Sequence, residues 1–180
     1  MPTLRLATAA DVPALRALID ASVRALSVGY YTPAQIDSAL RYGIGLDSQL
    51  IADGTYYLIE EGGVPVASGG WSDRRLLYGG DQLRTGEDPR LDPATDAARI
   101  RAFFVHPAWT RRGLARRLFD ECVAAARAAG FRELELAATL PGVPLYRALG
   151  FTPREPIRHT LPDGAIFEGL RMTRPVDPAE

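Results

Sequence analysis

Residues Thr110-Arg111-Arg112-Gly113-Leu114-Ala115-Arg116 set three arginines around a glycine, just ahead of a strongly periodic apolar run. The chemistry such a turn can perform is anion binding. The first backbone amides of a helix have no partner within it, and together they carry about half a positive charge. A phosphate or diphosphate is a natural occupant of that position. Gly113 and Ala115 let an anion approach the main chain, and Arg111, Arg112 and Arg116 add formal charge. Arginine this close to a helix start is unfavourable by about a few tenths of a kcal/mol unless an anion compensates it. Taken alone, the turn is equally compatible with an ordinary basic helix start on the surface.

The turn has to be placed by its neighbours. Leu4 and Leu6 alternate as a short strand, and from Asp11 the residues Leu15, Leu18, Ile19, Val23 and Leu26 fall at helical spacing. Thr32-Pro33 starts a second helix with Ile36, Leu40 and Tyr42 inward, ended by Gly43 and Gly45. Residues 55–60 and 64–71 are β-rich and flank Glu61-Gly62-Gly63, which predicts an antiparallel hairpin. Residues 73–96, rich in Gly, Asp, Arg and Pro, read as a long connection. Residues 98–105 form a fourth strand whose Phe103-Phe104-Val105 end is apolar on both faces, and His106-Pro107 stops it. Gly113 to Ala129 is a long helix with Leu114, Leu118, Cys122, Val123 and Ala126 on one stripe, closing at Gly130. A fifth strand over 133–138, a short helix over 144–149 and a C-terminal hairpin over 157–172 with Pro162-Asp163-Gly164 at its turn complete the chain.

In combination these features resemble the GNAT acetyltransferase superfamily. The resemblance rests on Val105-His106-Pro107 at a strand end, on the Thr110 to Ala115 turn, and on Leu145-Tyr146-Arg147-Ala148-Leu149-Gly150-Phe151. It implies one GNAT domain over 1–180 with an α/β (α+β) mixed sheet. That sheet would have about seven largely antiparallel strands, a parallel fourth and fifth pair that splays apart, and four flanking helices. It also implies acetyl-CoA as co-substrate, with Phe103, Phe104, Val105, Thr110, Arg111, Arg112, Gly113, Leu114, Ala115, Arg116 and Tyr146 contacting it. A backbone amide near Phe103 or Phe104 would stabilise the oxyanion as an amine attacks. Tyr146 matches the family's usual acid beside the leaving sulfur, and its alternative is a helix-face tyrosine packed on strand five. Thr110 stands where the family has Gln or Arg, and residues 138–142 stand where it often has Asn.

Removing a proton from the amine is the larger burden of such a reaction. A lysine-like amine with pKa about 10.4 is neutral about one part in a thousand at pH 7.4, a cost of about 4 kcal/mol, whereas the departing thiolate, near pKa ~8.5, costs about 1.5 kcal/mol. The fourth strand, Arg99-Ile100-Arg101-Ala102-Phe103, lacks the Glu many family members place there. Asp96, Glu60, His159 or a water chain remain as bases, and His106 reads mainly as a strand-end residue. Tyr30, Tyr31 and Trp71, with Tyr78, are expected to wall the acceptor pocket, although aromatics are more often core. Arg74 and Arg75 would favour an acidic acceptor or form a solvated face. Buried Cys122 is expected to be inert. A noncatalytic acetyl-CoA-binding module, or a transferase of another acyl-CoA, are the competing readings.

With 21 basic against 22 acidic residues in 180, no global field recruits nucleic acid or a membrane surface. The lone Cys122 and an N-terminus without an apolar signal segment lead to an expected cytoplasmic address. The expected partners are acetyl-CoA and a primary amine, with homodimer formation left open and no metal.

Overall fold

The computed structural model describes residues 1–177. Seven strands form one sheet: β1 (Thr3–Leu6), β2 (Tyr56–Glu61), β3 (Val64–Ser72), β4 (Ala98–Val105), β5 (Glu133–Thr139), β6 (Thr152–Thr160) and β7 (Ile166–Pro175). Their spatial order is β1-β2-β3-β4-β5-β7-β6, and every neighbouring pair is antiparallel except β4 and β5. The helices are α1 (Val12–Leu26), α2 (Pro33–Tyr42), α3 (Ser48–Ala52), α4 (Leu114–Ala128) and α5 (Val143–Ala148). The short α3, capped by the Asp47 carboxylate on the Gln49 amide, is one more helix than the periodicity predicts, because five residues span too few turns to show a period. The C-terminal hairpin is longer than its apolar core implies, since β6 and β7 extend over polar residues on both arms.

Alternation along the strands divides the core between the two faces. Tyr56 and Leu58 join α1 and α2 through Leu15, Leu18, Ile19 and Ile36, while Ile59, Val66 and Ala67 meet Leu114 and Leu118 of α4. Each fully buried Leu or Ile of this kind contributes about 1.5–3 kcal/mol, so the sheet is held between two helical layers. Capping sharpens the helix starts. Thr32 accepts from the Gln35 amide while the Gln35 side chain returns to the Thr32 amide, with Pro33 at the first helical position.

The alternation breaks once, in β4. Ser68 pairs with Phe104 and Gly70 with Arg101, so Ala102 and Phe103 together oppose Gly69 alone. This is a β-bulge, with Ala102 at φ 56, a left-handed conformation unusual for a residue with a side chain. The extra residue flips the parity of the strand's end. Ile100 lies on the α4 side, and after the bulge Phe103 and Val105 do so as well, while Ala102 and Phe104 turn to the α1 side. Two features hold it. A Cβ on Gly69 would overlap the Phe103 ring, so only glycine fits there. The Tyr56 hydroxyl, fully buried, lies 3.2 Å from the Ala102 carbonyl and 2.9 Å from the Ser68 hydroxyl.

Replacing Tyr56 by Phe strands the Ala102 carbonyl and the Ser68 hydroxyl in the core. The expected loss is about 1–3 kcal/mol of unfolding free energy, read from the urea midpoint.

Candidate functional site

β4 and β5 pair only at Ala98 with Leu134 and Arg99 with Glu135, and beyond those two positions the strands part. The gap opens into a cavity of about 290 Å³, lined on one side by Phe103, Phe104 and Val105 of β4 and on the other by Ala137, Ala138 and Thr139 of β5. The β4 edge facing it is not paired with β5. The His106 amide reaches Val66 of β3, so its predecessor Val105 points its amide to the opposite edge, where the Ser22 hydroxyl of α1 accepts it at 3.3 Å. Ser22 is a contact the sequence hides, because a serine on the inner stripe of α1 looks like a neutral filler.

The turn ahead of α4 is built for close approach to its backbone. Arg111 at φ 63 and Gly113 at φ 76 are both left-handed, and α4 begins directly after Gly113 with no side-chain cap. Among the described residues, none of the amides from Arg111 to Arg116 donates a hydrogen bond within the chain. A Cβ on Gly113 would meet nothing within 4 Å, so the space above it is open. The side chains divide. Arg111 and Arg116 are exposed, Arg112 stacks 4.5 Å over the Trp109 ring, and the Thr110 hydroxyl turns back to the Pro107 carbonyl at 3.2 Å. Leu114 is core, leaving only its amide for the site, and Ala115 lines the cavity. Unpartnered amides at a helix start suit this turn, beside the cavity that Ala115 lines, to an anion.

Tyr146 on α5 borders the same cavity. Its ring sits 6.4 Å from Phe103 and 5.8 Å from Phe151, and its hydroxyl makes no hydrogen bond to the described residues. Burial pushes its phenol well above the ordinary value, with Cys122 adding to the effect, so the group is a neutral donor at physiological pH. Cys122 itself is enclosed in the α4 core, and burial drives its thiol upward, away from reactivity.

The acceptor side departs from the sequence expectation. Neither Tyr30, Tyr31 nor Trp71 lines the cavity. Tyr30 is exposed, and Trp71 packs edge-on to Phe131 in the α4-side core. Tyr31 stacks on Phe167 at 4.1 Å, donates to the Glu168 carbonyl at 2.6 Å and accepts from the Leu140 amide at 2.8 Å. Its phenol, pushed up to about 12 by burial, ties the α1–α2 link to the end of β5 and to β7. Residues 73–96 are ordered and wall the cavity with Leu77, Tyr78, Gly79, Gly80 and Leu83. Arg101 of β4, only 4% exposed, anchors that wall: it donates to the carbonyls of Leu76 (2.8 Å) and Gly79 (2.6 Å) and pairs with Asp47 at 2.8 Å. Arg84 also pairs with Asp47, so this carboxylate is held from two sides. A charged residue inside the apolar stretch Ile100 to Val105 was the available signal for this buried pair.

The candidate bases are scattered. Glu60 is paired with Arg5 at 2.8 Å on the far edge of the sheet, Asp96 caps the Asp92 amide, and His106 accepts from the Ala108 amide. Only His159 faces the cavity, with its Nδ1 3.2 Å from the Tyr78 hydroxyl. Arg74 is committed to Asp53 at 2.6 Å, while Arg75 is exposed.

The layered mixed sheet with one splayed parallel pair defines an acyltransferase-type α/β fold. The Acetyltransferase (GNAT) family profile matches residues 20–151, and the chain belongs to that family. Among solved structures it is similar to a GCN5-related N-acetyltransferase from Rhodopseudomonas palustris, at TM-score 0.71 and 20% identity over 97% of this chain and 96% of that one. It is also similar to the PaiA N-acetyltransferase of Thermoplasma acidophilum in complex with coenzyme A (TM-score 0.65, 11% identity, 97% and 99% coverage). A GNAT family acetyltransferase from Brucella melitensis in complex with acetyl-CoA has TM-score 0.58 and 18% identity over 100% of this chain and 91% of that one. No curated protein matches the chain. No helix among the described residues is long and apolar enough to cross a membrane.

Substituting Arg101 by Met leaves Asp47 short of one partner and frees two carbonyls of the connection. The expected cost is about 3–5 kcal/mol in chemical denaturation, with faster proteolysis within residues 73–96.

Proposed function

We propose that this protein is an acetyl-CoA-dependent N-acetyltransferase acting on a primary amine. The observation that carries the reading is the run of unpartnered amides from Arg111 to Arg116 at the mouth of the β4/β5 gap, with the Tyr146 phenol bordering the same cavity. Relatives of the same fold solved with CoA or acetyl-CoA support the choice of ligand. The residues present fit it. The amides and Arg111, Arg112 and Arg116 would take the diphosphate, and the free edge of β4 at Val105, with Ser22 giving way, would take the amide groups of the pantetheine arm. Phe103 and Phe104 would bound the thioester end.

The bound thioester supplies an activated acetyl group. Nitrogen attack on its carbonyl forms the C–N bond, the C–S bond breaks, and the proton leaves the amine. Main chain at the Ala102–Phe103 bulge would supply the amide donor that stabilises the developing oxyanion. Tyr146 hydrogen-bonds the leaving sulfur. Its raised pKa makes it a donor that steadies the thiolate rather than one that surrenders its proton outright.

Two measurements test this. Gly113→Val puts a side chain into the open space over the turn at a left-handed position. Acetyl-CoA affinity by calorimetry should fall at least about tenfold, equivalent to ~1.4 kcal/mol, while the variant stays folded. Tyr146→Phe should leave acetyl-CoA affinity nearly unchanged and lower kcat by about 10²-fold or more. Wild-type turnover in that variant removes Tyr146 from the chemistry, and acetyl-CoA binding without turnover of any amine would favour a binding module.

A further inference from the structure

The part of the cavity beyond the β4/β5 gap has an unusual balance of surfaces. Val23 of α1, Ile44, Leu77 and Leu83 of the connections, Ile157 of β6 and Leu161 just after that strand supply apolar walls. Among the described lining residues there is no Asp or Glu. The one cation, Arg101, is already engaged by Asp47 and by the Leu76 and Gly79 carbonyls, so it has no free charge to offer a carboxylate. The ionisable groups left to an acceptor, Tyr146 aside, are Tyr78 and His159, edge to face at 5.7 Å and hydrogen-bonded at 3.2 Å.

These observations select among amines. A second ammonium brought into this chamber would lose its hydration without gaining a counter-charge, a penalty of several kcal/mol per ion. An amino acid would bring a carboxylate to a wall whose guanidinium is spent. A single amine on an apolar body loses little, and desolvation of its ammonium lowers its pKa toward the neutral form that attacks. Size adds a limit, because about 290 Å³ is at the small end of the roughly 300–1,000 Å³ usual for small-molecule sites and is shared with the acetyl end.

Resting on the acetyl-transfer reading above, we propose that the acceptor is a small apolar-bodied primary monoamine whose nitrogen is received by the Tyr78–His159 pair. His159 is the base. The role requires the tautomer in which Nδ1–H donates to the Tyr78 hydroxyl oxygen, 3.2 Å away, so that Nε2 carries the lone pair. Nε2 takes the proton as the nitrogen lone pair forms the C–N bond and the thiolate departs, and the imidazolium keeps Tyr78 as its acceptor before passing the proton to water. The pair lies where the connection meets β6, which explains why no carboxylate on β4 is required.

The test starts with calorimetry of acetyl-CoA on the wild-type protein and continues with thiol release using benzylamine, hexylamine, spermidine, leucine and a lysine-containing peptide. We expect kcat/KM for benzylamine or hexylamine to exceed that for spermidine, leucine and the peptide by about 100-fold. His159→Ala should lose about 10²–10⁴-fold in kcat/KM with acetyl-CoA affinity retained as proof of folding, and added imidazole should restore part of the rate. Tyr78→Phe should lose about tenfold. Preference for spermidine, leucine or the peptide overturns the proposal, as does turnover of no amine in the set. His159→Ala activity within about threefold of wild type overturns it too. A wild-type protein that does not bind acetyl-CoA sinks the transfer reading itself, whereas binding with the wrong acceptor preference sinks only the acceptor assignment.

Discussion

Gly69 has no side chain, and the ring of Phe103 occupies the volume one would fill. That single close packing allows β4 to carry two residues opposite one, and the two residues are Ala102 and Phe103. Everything distal to them is set by the slip. Phe103 and Val105 go to the α4 side and Phe104 to the α1 side, on the part of β4 that lies beyond its two positions paired with β5. The left-handed Ala102 is a local cost of about 1–2 kcal/mol, offset by the buried Tyr56 hydroxyl and by ring packing on Gly69.

A second layer of constraint concerns the main chain at the front of α4. The left-handed residues Arg111 and Gly113 reverse the chain so that consecutive amides point outward instead of into a turn of their own. Their donors stay available because no side-chain cap competes for them. Stacking on Trp109 holds Arg112 close to this position without a carboxylate partner that would cancel its charge.

Much of the frame was legible because it is carried by repeating patterns. The long α4 shows a stripe of Leu118, Cys122, Val123 and Ala126, the two-helix start shows Pro33 after Thr32, and the β4 boundaries follow from Ala98 to the His106-Pro107 stop. The turn was legible for the same reason, as composition at a fixed place. What stayed hidden depends on pairs far apart in the chain. The bulge needs Tyr56, Gly69 and Ala102 together, and the wall needs Asp47 and Arg101, 54 residues apart. Tyr31 shows the limit from the other direction: an aromatic near the expected pocket was read as pocket wall, although its hydroxyl serves two backbone groups in the frame. Burial of a side chain and use of its polar tip are decided by tertiary neighbours that periodicity does not encode.

Arg101 joins the strand that bounds the gap to the connection over residues 73–96. Its three contacts to the connection and to Asp47 fix where that segment starts its path across the cavity, but not the residues that follow at Leu77, Tyr78 and Leu83. Selectivity in this scaffold can therefore drift by exchanging a few side chains on a tethered panel, while the reacting end keeps its shape. New side chains on that panel would have to leave in place the Asp47 carboxylate held between Arg84 and Arg101.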